Sequence, residues 1–330
     1  MITRRAFTQA LAASPLALAG FRSATASESA DNYPSRAVRF VVGFPPGQAS
    51  DVGARLIADA TSKVLKQSIY VDNRVGAAGI ISHQYVKNEP ADGYTLLYGS
   101  TGTLAINPAL YKKLSYNPRE DFEPIILLNE SPMFLVTNME TPVHNLEEMI
   151  AYVKGKSGEI SYGSSGYGVT QHIAMEMLKR QTGMQMLHVP YKGSSPMMTD
   201  LIGGRVQFAF DTSTAVLPHI QAGRVRALGI SVRERLPQAK AIPTLQEQGL
   251  KDFEASTWAG VLARKSTPRP IIDKMNSALN EALKSKEAIA HYHTAGSSVR
   301  GGTADDFARF LAKETQRWGE AVKASGAHID

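Results

Sequence analysis

The stretch Val42–Ala60, "VGFPPGQASDVGARLIADA", joins an apolar run to an amphipathic one through a loop of prolines, glycine and small polar residues. The run before it, "AVRFVVGF" (Ala37–Phe44), reads as a strand. After it, Val52, Leu56, Ile57, Ala60 and Val64 fall at helical spacing. Strand, small-residue loop and helix form the repeating unit of an α/β fold. The loop has the composition of backbone that closely approaches a phosphate, a catalytic water or a bound solute.

Working outward, "QSIYVDN" (Gln67–Asn73) and "GYTLLYGST" (Gly93–Thr101) read as further strands ending in Gly- or Ser-rich turns. The alternation predicts a parallel sheet covered by helices. A second α/β set begins after "DFEPIILLNESPMFLVTN". In it "NLEEMIAYVKGK" opens a helix with Asn145 as N-cap and Glu148 three residues on. The strands "EISYGSS", "QMLHVPYKG", "RVQFAFDTS" and "RVRALGISV" alternate there with the helical segments "TQHIAMEMLKRQTG" and "SSPMMTDLIGG". The tail is mostly helical, with Thr303 and Asp306 as a cap signal before an apolar stripe of Phe307, Phe310, Leu311 and Trp318. Helices without strands of their own must return to cover an earlier sheet. The expected organisation is a discontinuous domain 1 (27–131 plus 254–330) and a domain 2 (132–253), joined by a two-crossing hinge with a ligand cleft between them.

The 330 residues, 43% of them hydrophobic, suffice for two globular units. No apolar run is long enough to predict a transmembrane helix. Residues 1–26 have the basic start, apolar middle and small-residue end of a cleavable export signal, with Ala24-Thr25-Ala26 as the cleavage site. "TRRAF" (Thr3–Phe7) fits twin-arginine or general secretory export. The mature chain is therefore expected in a bacterial periplasm, where a protein with no cysteine relies on core burial. Removing Arg4, Arg5 and Arg22 with the leader lowers the formal charge from +6 to about +3. Scattered Lys and Arg exclude a nucleic-acid surface, and the chain is expected to act as a monomer.

Several chemistries are excluded by spacing. "GFPPGQASD" lacks "GxxxxGK[ST]", so no nucleotide-phosphate loop is present. In "GSSGYGVTQH" (Gly163–His172) the third glycine of a dinucleotide loop is missing. His291 and His293 lack an "HExxH" context, and "GSSG" is one residue short of a "GxSxG" elbow. Neither a cofactor nor a catalytic nucleophile is expected, which argues against an exported hydrolase. What remains is four small-residue loops that each follow a strand and run into a helix: Phe44–Asp51, Asn73–Ile81, Gly99–Thr103 and Gly163–Thr170. Free N–H groups at helix starts make anion sites without charged side chains; strand-to-helix turns also need such residues for backbone reasons alone.

Taken in order, "FPPGQASDVGAR", "VDNRVGAAG", "ADGYTLLYGS", "ISYGSSGYGVTQHIAMEML", "HVPYKGSSPMMTDLIGGRVQFAFD", "PHIQAGRVRALGIS" and "WAGVLARKSTP" closely resemble the solute-binding receptors of tripartite tricarboxylate transporters, also called Bug receptors. The resemblance implies a type II periplasmic-binding-protein fold, two α/β lobes closing on a small organic acid. It implies a carboxylate pincer built from Phe44, Gly47, Gln48, Ala49, Ser50 and Asp51 in the first loop. Gly76, Ala77, Ala78 and Gly79 form its second jaw, and Thr101 comes from the third loop. From the distal lobe it nominates Ser164, Ser165 and Gly166, then His172, Tyr191, Lys192 and Asp211.

Bland roles compete at several of these positions. Asp51 caps a helix more readily than it meets an anion; Arg55 and Arg74 serve equally as braces; Lys192 either neutralises a carboxylate or sits in solvent; Tyr191 suits a core. Gln48 and Val75 depart from the family, which commonly has glycine and proline there. The implied function is capture of a dicarboxylate, tricarboxylate, acidic amino acid or aromatic acid and delivery to membrane permease subunits. The alternative is an orphan receptor presenting its ligand to a membrane sensor kinase.

Overall fold

The computed structural model describes residues 32–156 and 158–330, so the export-signal reading lies outside the described residues. The described elements begin with β1 (Val38–Val42), α1 (Ala49–Leu65), β2 (Ile69–Asn73), α2 (Ile80–Lys87) and β3 (Thr95–Ser100). A π-helical turn, Gly102–Ile106, continues into α3 (Asn107–Leu110), and α4 (Pro118–Asp121) leads to β4 (Phe122–Asn138). The distal part holds α5 (Leu146–Gly155), β5 (Ser161–Ser164), α6 (Thr170–Thr182), β6 (Leu187–Pro190) and α7 (Ser194–Ile202). It closes with β7 (Phe208–Thr212), α8 (Ser213–Gln221) and β8 (Val225–Ile230). The chain then returns through β9 (Ser256–Arg264), α9 (Arg269–Leu283), α10 (Lys286–Thr294), β10 (Ser298–Val299) and α11 (Ala304–Ser325).

The expected all-parallel sheet is corrected to a mixed one. β1 lies parallel between β2 and β3, and β5 parallel between β6 and β7. β9 runs antiparallel between β3 and β4, and β4 is antiparallel to β7 and β8. The strand order β2-β1-β3-β9-β4-β7-β5-β6 makes one continuous sheet, with β10 and β8 also on β4. The reason is that β4 serves both lobes. Its segment from Phe122 to Pro132 pairs β9, and from Met133 to Asn138 it pairs β7 and β8. A strand returning from the other lobe enters from the opposite end, so β9 must run against its neighbours.

The buried faces match the apolar runs. In β1, Val38, Phe40, Val41 and Val42 are fully buried, as expected of a strand covered by helices on both faces. α1 packs against α9, which covers the first sheet. α11 begins with the predicted capping box: Asp306 N–H donates to Thr303 Oγ1 at 3.1 Å, and Thr303 N–H donates to Asp306 Oδ2 at 2.9 Å. This helix packs against α3 and also against α6 of the distal lobe. One apolar cluster therefore runs through both lobes, from Leu97 and Leu262 past Trp318 to Ile173 and Phe208. It is a two-lobe binding-protein fold.

Candidate functional site

Loops after β1, β2, β3 and β5 bring their helix starts to one cavity of about 290 Å³. Its wall includes Ser50 at the start of α1 and Ala78 before α2. Thr101 opens the π turn, and Thr170 opens α6 on the distal side. Phe44 from the first loop also lines it. Among the described residues of this lining there is no Asp, Glu, Lys, Arg or His.

The first two jaws meet backbone to backbone. A Cβ at Gly43 would stand 2.9 Å from Gly79 Cα and 2.6 Å from Ser82 Oγ, so only glycine permits this approach. The second jaw bends through four consecutive left-handed residues: Gly76 (φ 137°), Ala77 (46°), Ala78 (51°) and Gly79 (86°). Buried groups hold it. His83 Nδ1 donates to Gly79 O at 2.9 Å and Ser82 Oγ donates to the same carbonyl at 2.7 Å. Asn107 Nδ2 donates to Ala78 O at 3.2 Å. Burial lowers the His83 pKa to about 4, against a smaller upward pull from Gly79 O, so the ring is neutral.

Other nominated residues of the first lobe brace the jaws. Asp51 is buried and accepts from Gly47 N–H at 2.8 Å, Arg55 Nε at 3.0 Å and Asn73 Nδ2 at 2.8 Å. Burial opposes its ionisation, but these donors outweigh it and hold the carboxyl below its usual range. Asp51 sits in the first turn of α1, whose N-cap is Gln48 without a side-chain cap bond. The exposed Gln48, at φ −75°, is in extended backbone that needs no glycine, and neither it nor Ala49 belongs to the cavity wall. Arg74 pairs with Asp72 at 2.9 Å. Thr101 is buried and accepts from Trp258 N–H at 2.7 Å, tying the end of β3 to β9.

On the distal side the structure separates two groups of nominated residues. The wall is made by Tyr167, Gly168, Val169 and Thr170, immediately after Ser164, Ser165 and Gly166. Ser164 is buried beneath them, with its Oγ 2.7 Å from both Gly166 O and His188 Nε2. Gly168 N–H donates to His172 Nδ1 at 3.0 Å, and the His172 and His188 rings stack 3.9 Å apart. Burial depresses both histidines, His188 to about 3 with help from His172 and Lys179. His172 and Ser164 thus shape the distal loop from below.

Tyr191 donates to Asp200 Oδ2 at 2.9 Å; burial and then that carboxylate push its hydroxyl up to about 12. Lys192 is exposed, and neither residue lines the cavity. Asp211 is fully buried, accepting from Thr212 N–H at 2.8 Å and Gln171 Nε2 at 3.1 Å. Burial raises its pKa against the downward pull of Ser194, Thr212 and Gln171.

Sequence reasoning passed over Asn107, Leu110, Tyr111, Thr257, Trp258 and Ile329, which also line the wall. Trp258 stands inside "WAGVLARKSTP", read only as a motif, and Ile329 carried no signal at all. Trp258 is fixed from behind: its Nε1 donates to Glu314 Oε2 at 2.9 Å, as does Trp318 Nε1 at 3.0 Å, and Arg317 Nη2 lies 2.6 Å from the same oxygen.

A family model described as "Tripartite tricarboxylate transporter family receptor" matches residues 53–327. The chain belongs to this receptor family. The protein BugT of Bordetella pertussis is 37% identical over 302 residues, 91% of this chain and 93% of that protein. Among solved structures, R. palustris Rpa4515 with adipate is 35% identical, with a TM-score of 0.78 over 90% of this chain and all of that one. MatC of Rhodopseudomonas palustris with bound malate is 31% identical, with a TM-score of 0.75 over 88% of this chain and all of that one. Membership makes the chain a solute-binding receptor, and the convergent helix starts form its candidate solute cavity.

Proposed function

We propose that this receptor captures a small carboxylate between its two lobes and delivers it to the permease subunits of a tripartite tricarboxylate-type transporter. In this reading residues 1–26 are removed on export to the periplasm, and 27–131 plus 254–330 move as one lobe against 132–253. The observation that carries it is the convergence of four loops that run into helices, at Ser50, Ala78, Thr101 and Thr170, on a cavity with no charged side chain among the described residues. An α-helix terminus such as that of α1 or α6 favours an anion by about 0.3–1 kcal/mol, and by up to about 2 kcal/mol when partly buried. The two together favour a carboxylate over a neutral isostere by about tenfold or more. Similar receptors solved with adipate and with malate support the same chemistry.

The test is a thermal-shift screen of organic acids against their amides. A bound acid at 100 times its dissociation constant adds about 2.7 kcal/mol of stability. For a chain of this length that is a rise of about 4 °C in Tm. Amides matching their acids in Tm shift, or no acid producing any, would refute carboxylate capture.

A further inference from the structure

Helix α10 ends against the distal lobe. Its last turn closes as a Schellman motif, with Gly296 N–H donating to His293 O at 2.9 Å and Ser297 N–H to Tyr292 O at 2.8 Å. The carbonyls around this end are then met from across the lobe boundary. Ser213, buried at the start of α8, donates from Oγ to Ala295 O at 2.6 Å and stands 3.2 Å from Gly296 O. Gln238, also of the 132–253 lobe, donates from Nε2 to His293 O at 3.1 Å. Only glycine allows this approach: Gly296 has φ +63°, and a Cβ there would fall 2.6 Å from Ser213 Cβ.

This contact lies across β4 from the solute cavity. Glu130 of β4 pairs with Trp258 of β9 on one edge and with Ser298 of β10 on the other. Trp258 lines the cavity, whereas Ser298 follows the α10 turn, whose Ser297 Oγ is 2.5 Å from Ser131 Oγ of β4. The lobes therefore meet on both flanks of the strand they share. On the cavity flank a solute can bridge them; on the α10 flank the bonds are made by protein atoms alone.

We propose that Ser213 and Gln238 form a latch that holds the lobes together on the α10 flank independently of solute, so that part of the unliganded receptor is already closed. This rests on the reading that 132–253 moves against the rest of the chain. Water can take over the α10 carbonyls once the lobes part, so each bond shifts the closed-to-open ratio by only about two- to tenfold. The latch is thus a bias on closure and not a permanent join. Apparent affinity for solute rises with the fraction of receptor closed in advance, so the two side chains act on binding without touching the solute.

The sequence contains no cysteine, so spin labels can be placed one per lobe at Val75→Cys and Lys192→Cys, exposed positions beside the second jaw and beside the Ser165 loop. Double electron–electron resonance on the unliganded protein then reads closed and open lobes as short and long distances. Ser213→Ala should lower the short-to-long ratio by about threefold, and Ser213→Ala combined with Gln238→Ala by about tenfold. Gly168→Ala, which drives the distal loop into Leu110 on the cavity flank, is the control for lobe motion. A double variant that keeps the wild-type ratio, whether or not its Tm falls, while Gly168→Ala lengthens the distances would overturn the latch and leave the moving lobes standing. Unchanged distances in all of these variants would overturn the latch together with the lobe motion beneath it.

Discussion

Ala77 and Ala78 hold φ of 46° and 51°, a conformation that costs an L-residue about 1 kcal/mol or more. The surrounding bonds keep them there, and His83 is the titratable one among these buried braces. "RVGAAG" announced small residues and close approach in the sequence. That its alanines would be left-handed was not legible, because the strain is imposed by Asn107 and His83, from elements that follow the jaw. His83 Nε2 is buried without a partner, so a protonated ring would strand a charge there.

The sign of the pH effect follows from this. With the folded pKa near 4 and the unfolded value near 6.5, the unfolded chain takes up the proton first. The contribution of neutral His83 is fully present above pH 6.5 and is lost as pH falls toward 4, for a total of up to about 3 kcal/mol. Urea unfolding of the wild type should show stability declining across that window. In His83→Gln, which keeps a donor for Gly79 O but does not titrate, the decline should be shallower. Parallel pH profiles for the two proteins would remove His83 from the account.

At the scale of elements, local signals were read well where they are local. The Asn145 cap accepts from Glu148 N–H at 2.8 Å, the Thr303 capping box is formed, and the strand leading into each quoted loop is present. β4 and β9 escaped the parallel reading because strand direction is decided by which end of the sheet the chain re-enters, and no periodicity records that. α11 is similar: its stripe of Phe307, Leu311 and Trp318 is visible in the sequence, but the buried Glu314 among them is not. Glu314 is the carboxylate on which both tryptophans of the protein converge. Replacing it with alanine leaves two buried indole N–H groups and Arg317 without their acceptor, a loss of about 3 kcal/mol. Glu314→Ala should therefore lower the urea midpoint and red-shift tryptophan emission, while Glu314→Gln, which retains an acceptor oxygen, should do less of both. An unshifted emission spectrum in Glu314→Ala would show that the Trp258 ring is held by packing alone.

The whole molecule turns on how its lobes are joined. The pairing of β4 passes from β9 to β7 and β8 between Pro132 and Met133, β9 begins beside this point at Ser256, and Ser231 staples the two stretches. Its Oγ accepts from Met133 N–H at 3.0 Å and lies within reach of the Met133 and Ala255 carbonyls, while its own carbonyl accepts from Ala255 N–H at 2.9 Å. With the crossings pinned, relative motion of the lobes is read at the cleft, where Gly168 of the distal loop faces Leu110 of α3. A Cβ at Gly168 would fall on the Leu110 side chain, and φ at Gly168 is +72°. Gly168→Ala therefore costs about 1 kcal/mol in backbone strain and also pushes the lobes apart. The strain alone would lower Tm by a degree or two. Separation of the lobes would in addition weaken ligand binding and raise the radius of gyration of the liganded protein, because a solute that contacts both lobes favours the closed state only if they can meet. The two effects are separable by Leu110→Val, which removes the δ-methyl groups from the collision. Adding it to Gly168→Ala should restore affinity and the compact scattering profile but leave the backbone strain in place. If the double variant binds no better than Gly168→Ala, the loss came from the distal loop's own conformation rather than from lobe approach, and the Gly168–Leu110 contact is not where closure is limited.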